Sequence, residues 1–171
     1  MKLRETILKS HSRENCTRIV RWVGRDQKKF NELFHLFLND EYRVVQRAGW
    51  PISYCVEKNP AFIQKHFAKL LKNLDKKGIH DAVKRNSVRL LQYVTIPEKF
   101  HGQVMDLCFK YISSPTEAVA IKAFSITVLQ NLARQYPEIV NEVKLVIEER
   151  WDYETIAFKT RAKKLLKEFS K

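Results

Sequence analysis

Glycine and proline are scarce in this chain of 171 residues, at four and five respectively. With 44% hydrophobic content, that scarcity argues against a disordered chain and against a turn-rich β-protein. Cysteine is nearly absent: Cys16, Cys55 and Cys108 are scattered, odd in number and far from any C-x-x-C spacing. They read as small buried thiols of a reduced, intracellular protein, not as a disulfide frame. No apolar run approaches the roughly 20 residues of a membrane span. The opening "MKLRETILKS" is charged and lacks the apolar stretch of a signal peptide. The expectation is a cytoplasmic protein without a membrane partner.

Catalytic signals are missing too. His11, His35, His66, His80 and His101 show no H-E-x-x-H or other metal spacing. There is no glycine-rich phosphate loop and no G-x-S-x-G. Carboxylates such as Asp81, Asp106 and Glu142 have no spacing that calls for acid–base chemistry. The sequence therefore predicts a non-enzyme, with no catalytic residue, no metal, no cofactor and no evident small-molecule substrate.

Positive charge, by contrast, is abundant. The chain has 32 basic against 19 acidic residues, a net charge of +13 and a pI near 9.8. Such an excess favours polyanionic partners, whether an acidic protein surface, DNA or RNA. The charge leans toward the first half: residues 1–39 carry +5, 40–79 +4, 80–112 +2, 113–150 −1 and 151–171 +3.

Nearly every segment has helical periodicity, and about ten helices can be read, with no convincing strand alternation. Pro60, Pro97 and Pro137 each open an apolar-periodic segment, the place where proline suits a helix. Aligning the helices exposes a repeat near 38 residues. Val45, Gly49, Ile52, Ser53 and Val56 recur as Val83, Ser87, Leu90, Leu91 and Val94, and again as Ile121, Ser125, Val128, Leu129 and Leu132. A last copy reads Phe158, Ala162, Leu165, Leu166 and Phe169, and a first copy Ser12, Cys16, Ile19, Val20 and Val23. Second helices have their own columns, such as Phe30, Phe34 and Phe37 or Ile63, Phe67 and Leu70. A lone helix pair cannot bury both its apolar stripes, so copies at this period are expected to stack as an α-solenoid. The column Cys16, Gly49, Ser87, Ser125, Ala162 is small throughout, as close helix approach requires.

The stretches "DEYRVVQRAGW", "HDAVKRNSVRLL", "EAVAIKAFSITVL" and "IAFKTRAKKLL" resemble the first helices of HEAT/armadillo-type repeats. The family's apolar–basic pair stands here as Val83–Lys84, Ile121–Lys122 and Phe158–Lys159, departs to Val45–Gln46, and has Arg13 at the equivalent place in the first copy. The resemblance implies an all-α fold, a right-handed α-α superhelix of about five helix pairs. It would form a single domain over 1–171 with units near 1–39, 40–79, 80–112, 113–150 and 151–171. It also implies a surface for protein–protein interaction, and a basic column that ties neighbouring repeats together. At the level of architecture alone the chain is also similar to HEAT-like alkylpurine DNA glycosylases, basic solenoids that cradle DNA. Their aspartate, with its aromatic and arginine neighbours, finds no residue-by-residue match here. The alternative function is therefore nucleic-acid binding, with DNA repair as its extreme form.

The candidate binding patch is Arg18, Arg43, Arg47, Trp50, Arg85 and Arg89. Arg43 and Arg47 are four apart on one helix face, as are Arg85 and Arg89 on the next first helix. Arg47 and Arg85 match across the repeat, Arg18 aligns with Arg89, and Trp50 offers a stacking face. Arginine's planar fork suits phosphate and carboxylate. Lys65, Lys69, Lys72 and Lys76 form a further stripe, read as a solubilising face. Pro51, beside Gly49 and Trp50, is expected to kink its helix.

Overall fold

Small polar residues set several helix starts. Ser12 Oγ accepts from the Asn15 N–H at 3.1 Å, and Asp26 Oδ1 from the N–H groups of Lys28 and Lys29 at 2.8 and 3.2 Å. His80 Nδ1 accepts from the Ala82 N–H at 3.1 Å. These caps open three of ten α-helices that the computed structural model shows over its described residues, 1–170. No strand occurs among those residues. Lys171, the last residue of the expected unit 151–171, lies outside them.

The chain divides into two compact units, Met1–Thr95 and Ile96–Lys171. The first unit contains α1 (Leu3–Lys9), α2 (Arg13–Val23), α3 (Gln27–Asn39), α4 (Tyr42–Lys58), α5 (Phe67–Leu74) and α6 (Asp81–Leu91). Here α4 is central: it packs against α6, α3, α2 and α1. Gly24, at a φ of +54°, ends α2 in a conformation that a side chain resists, and its N–H returns to the Val20 carbonyl. The expected single second helix from Pro60 onward is instead a 3₁₀ segment, Pro60–His66, running into α5. Pro60 lacks an N–H and takes the first position, where none is needed.

The second unit contains α7 (His101–Ser113), α8 (Val119–Ala133), α9 (Val140–Arg150) and α10 (Ile156–Glu168). Short 3₁₀ turns at Glu98–Phe100, Pro137–Ile139 and Trp151–Tyr153 precede α7, α9 and α10. Pro137 opens its turn, whereas Pro97 stands just before Glu98–Phe100, its carbonyl accepting from the Phe100 N–H at 2.8 Å. In this unit α8 packs on both α7 and α10, and α9 on α7.

The repeat columns form the core. All five members of the small column are buried, as are Phe30, Phe34, Phe37, Ile63, Phe67 and Leu70 of the second helices. Gly49 earns its place physically: an added Cβ would lie 2.7 Å from Asn86 Nδ2. Val45 is only half-buried, and Val44 takes the inward position. The three thiols are free and buried, and burial pushes Cys16 up to about 11 and Cys55 and Cys108 up to about 12.

Polar ties follow the same period. Tyr42 meets His80 at 2.9 Å, 38 residues on, and Gln27 Nε2 donates to the Phe62 carbonyl, 35 residues on. Because His80 Nδ1 is an acceptor, its Nε2 carries the proton and donates to the Tyr42 hydroxyl. In the second unit His101 meets the Tyr136 hydroxyl at 2.8 Å, 35 residues on. Within each unit, residues about one repeat apart are thus fastened by hydrogen bonds as well as by packing.

Candidate binding surface

All six patch residues belong to α2, α4 and α6, consecutive first helices of the first unit. Their side chains are not equivalent. Arg43 and Arg85 are exposed, with no ion pair among the described residues. Arg18 is paired on its own helix with Glu14 at 3.6 Å. Arg47 is half-buried and turns inward, its Nη1 donating to the Leu8 carbonyl at 2.6 Å and satisfying the C-terminal end of α1. Arg89 lies over the Tyr54 ring, 4.7 Å from its centroid. Trp50 is half-buried and stacked on His11 with 5.6 Å between ring centroids. One face of its ring is therefore occupied within the protein.

Pro51 sits inside α4, which nevertheless runs unbroken from Tyr42 to Lys58. Packing overrides the local penalty: Ala48, Gly49, Ile52, Ser53 and Val56 around it are all buried. The four lysines of the α5 stripe are exposed, Lys65 on the 3₁₀ segment and Lys76 beyond the helix end. Beside them His66 is held below its ordinary range, first by burial and then by Lys69 and Lys65.

The basic column behaves differently at each repeat. Lys122 is buried and donates to Glu154 at 2.6 Å, an acid that also receives Arg150 at 3.0 Å. Lys84 pairs with Asp81 at 3.1 Å, and Lys159 lies over the Trp151 ring at 5.5 Å. Arg13, in the first copy, has no such anion among the described residues. It stands instead at a groove between α2 and α4 of about 170 Å³, lined by Arg13, Cys16, Thr17, Val20, Tyr54 and Lys58.

Sequence reasoning passed over this groove. Arg13 and Thr17 are four apart on α2, and Tyr54 and Lys58 are four apart on α4. Those spacings are visible, but nothing in them says that the two pairs face each other. Asn15 was passed over as well: its Nδ2 donates to the carbonyls of Thr6 and Ser10 at 2.7 and 2.9 Å and ties α1 to α2. Among the described residues no group of three or more His, Cys, Asp or Glu is placed to hold a metal ion, and no helix is long and apolar enough to cross a membrane.

Helix pairs that repeat a buried small column, fastened one repeat apart, define an all-α helical repeat protein. The chain belongs to the HEAT repeat domain family, whose model matches residues 3–169. This agrees with the first-helix pattern of apolar–basic pairs and with the inter-repeat tie at Lys122 and Glu154. HEAT repeat domains generally serve as protein-interaction scaffolds. Comparisons with curated proteins and with solved structures gave no match.

Proposed function

We propose that this protein is a non-enzymatic scaffold in the cytoplasm that docks an acidic partner protein on the basic surface of its first unit. The observation that carries the reading is the charge distribution. Residues 1–95 hold 20 basic and 9 acidic groups, +11 of the total +13. All six patch residues fall in that unit, and two of its arginines, Arg43 and Arg85, extend into solvent without an internal acid. A surface of that kind repels itself until an anionic partner neutralises it.

The test is the double charge reversal Arg43→Glu/Arg85→Glu, read by pull-down and titration against acidic proteins and against duplex DNA or RNA. These two arginines are suited to it because neither supports the fold, unlike Arg47, which holds the end of α1. Loss of acidic-protein binding supports the scaffold reading. Binding of nucleic acid, weakening by orders of magnitude between about 50 and about 200 mM salt, would instead favour the nucleic-acid alternative. Unchanged binding of every polyanion would remove the patch from consideration.

A further inference from the structure

The groove between α2 and α4 differs from the open arginine surface in shape and chemistry. Its volume, about 170 Å³, exceeds the roughly 150 Å³ in which a benzene ring is held. Its wall combines apolar surface with polar groups: Val20, the Tyr54 ring and Cys16, then the hydroxyls of Thr17 and Tyr54. Arg13 and Lys58 contribute two cations from opposite helices, and no acid lines it. Both are exposed and neither has an ion pair among the described residues.

The comparison along the basic column sharpens the point. At the other three positions the cation already has an internal partner: Asp81 for Lys84, Glu154 for Lys122 and the Trp151 ring for Lys159. At Arg13 no such partner appears among the described residues, and a groove opens beside it. Arg89, whose guanidinium carbon lies 4.7 Å from the Tyr54 ring centroid, and then Trp50 hold the Tyr54 hydroxyl below the usual phenol range.

We propose that this groove binds a phosphomonoester carried on a small ring-sized organic body, the phosphoryl group between Arg13 and Lys58 and the body against Val20, Cys16 and Tyr54. A doubly charged phosphoryl group answers two separated cations, whereas a lone carboxylate answers one. Arg13 provides a fork and Lys58 a point charge, both of which strengthen hydrogen bonds to ionised oxygen. The volume excludes a nucleic-acid duplex and admits one ring. The same chemistry arises from a free phosphate ester or from a phosphorylated aromatic side chain of a partner. This goes beyond the scaffold reading, which concerns the open surface of Arg43 and Arg85.

The experiment is a heteronuclear NMR titration of the full chain with phenyl phosphate, inorganic phosphate and phenol, followed by a phosphotyrosine peptide. Saturable shifts centred on Cys16, Thr17, Tyr54 and Lys58 are expected with phenyl phosphate. Inorganic phosphate and phenol, each carrying half of the ligand, should bind at least about tenfold more weakly. Arg13→Gln and Lys58→Gln, both at exposed positions, should each weaken phenyl phosphate binding by about tenfold without lowering the melting temperature. A peptide that binds more tightly than phenyl phosphate identifies a partner-borne group; equal affinity identifies a free ester. The proposal is overturned by shifts that do not saturate, by equal binding of inorganic phosphate, or by wild-type affinity in both variants. Phenyl phosphate binding that survives Arg43→Glu/Arg85→Glu keeps the groove standing even where the scaffold reading fails.

Discussion

At position 49 a methyl group would land 2.7 Å from Asn86 Nδ2, 3.0 Å from its Cγ and 3.1 Å from its Cβ. The amide end could swing aside, but it is buried and donates to the Ala82 carbonyl at 2.7 Å, and the Cβ cannot swing at all. Replacing glycine by alanine gains up to about 1 kcal/mol of helix propensity, while overpacking costs about 1–3 kcal/mol. Gly49→Ala should therefore destabilise the protein, by about 1 kcal/mol net in urea denaturation. Asn86→Ala removes two of the three crowding atoms, so the double variant should lose less than the sum of the singles. Gly102, on α7, has nothing within 4 Å of its absent Cβ, and Gly102→Ala should stabilise by about 0.5 kcal/mol. Additive losses at 49 and 86 would refute the steric account. This residue was readable in the sequence as part of a small column. Its contact was not, because the column names which positions approach closely but not the side chain that fills the space.

Helix α10 shows how one element is aligned on another. Glu154, just before its start, takes Lys122 from early in α8; Arg161 donates to Thr127 at 3.2 Å near the middle. Its last residue, Glu168, takes Gln130 at 2.6 Å from late in α8 and Arg134 at 2.6 and 3.0 Å from just beyond its end. Start meets start and end meets end, so the two helices run parallel, as first helices of successive repeats must. The two clamps should respond differently to mutation. Glu154 and Lys122 are both buried, and Lys122→Met leaves the carboxylate with Arg150 alone, a loss of about 3 kcal/mol in chemical denaturation. Glu168 is partly exposed and screened by water, so Glu168→Gln should cost less than about 1 kcal/mol at neutral pH. Arg134 and Gln130 lower its carboxyl from 4.5 to about 2 in the folded protein. A lowered folded pKa contributes stability above the unfolded value and loses it as pH falls through the folded one. The difference between wild type and Glu168→Gln should thus be present above about pH 4.5 and vanish as the pH approaches about 2. A difference that grew on acidification would contradict the clamp.

For the whole molecule, the period of the helices and their buried columns were legible because stacking imposes the same demand at every copy. Less legible was whatever breaks that regularity: the 3₁₀ start before α5, the inward turn of Arg47 onto α1, and Trp50 stacked on His11. Each depends on a neighbour far away in the chain, which a column alignment treats as interchangeable. The same limit separates net charge from placed charge. The first unit carries +11, but its lysine stripe and its arginine patch lie on different elements, the Pro60–Leu74 segment and the first helices. Arg43→Glu/Arg85→Glu and Lys65→Glu/Lys72→Glu change the charge of the unit by the same amount, all at exposed residues. If long-range attraction alone governs partner binding, both pairs should slow association alike, and the difference should fade above the salt at which the Debye length falls to about 8 Å. If contact at the patch governs it, the arginine pair should mainly speed dissociation, by about tenfold or more, while the lysine pair leaves dissociation unchanged. Stopped-flow or surface-based kinetics at two salt concentrations separate these outcomes. The unpaired state of Arg43 and Arg85 argues for the second, since a cation held free of internal acids keeps its hydrogen-bonding fork for a partner.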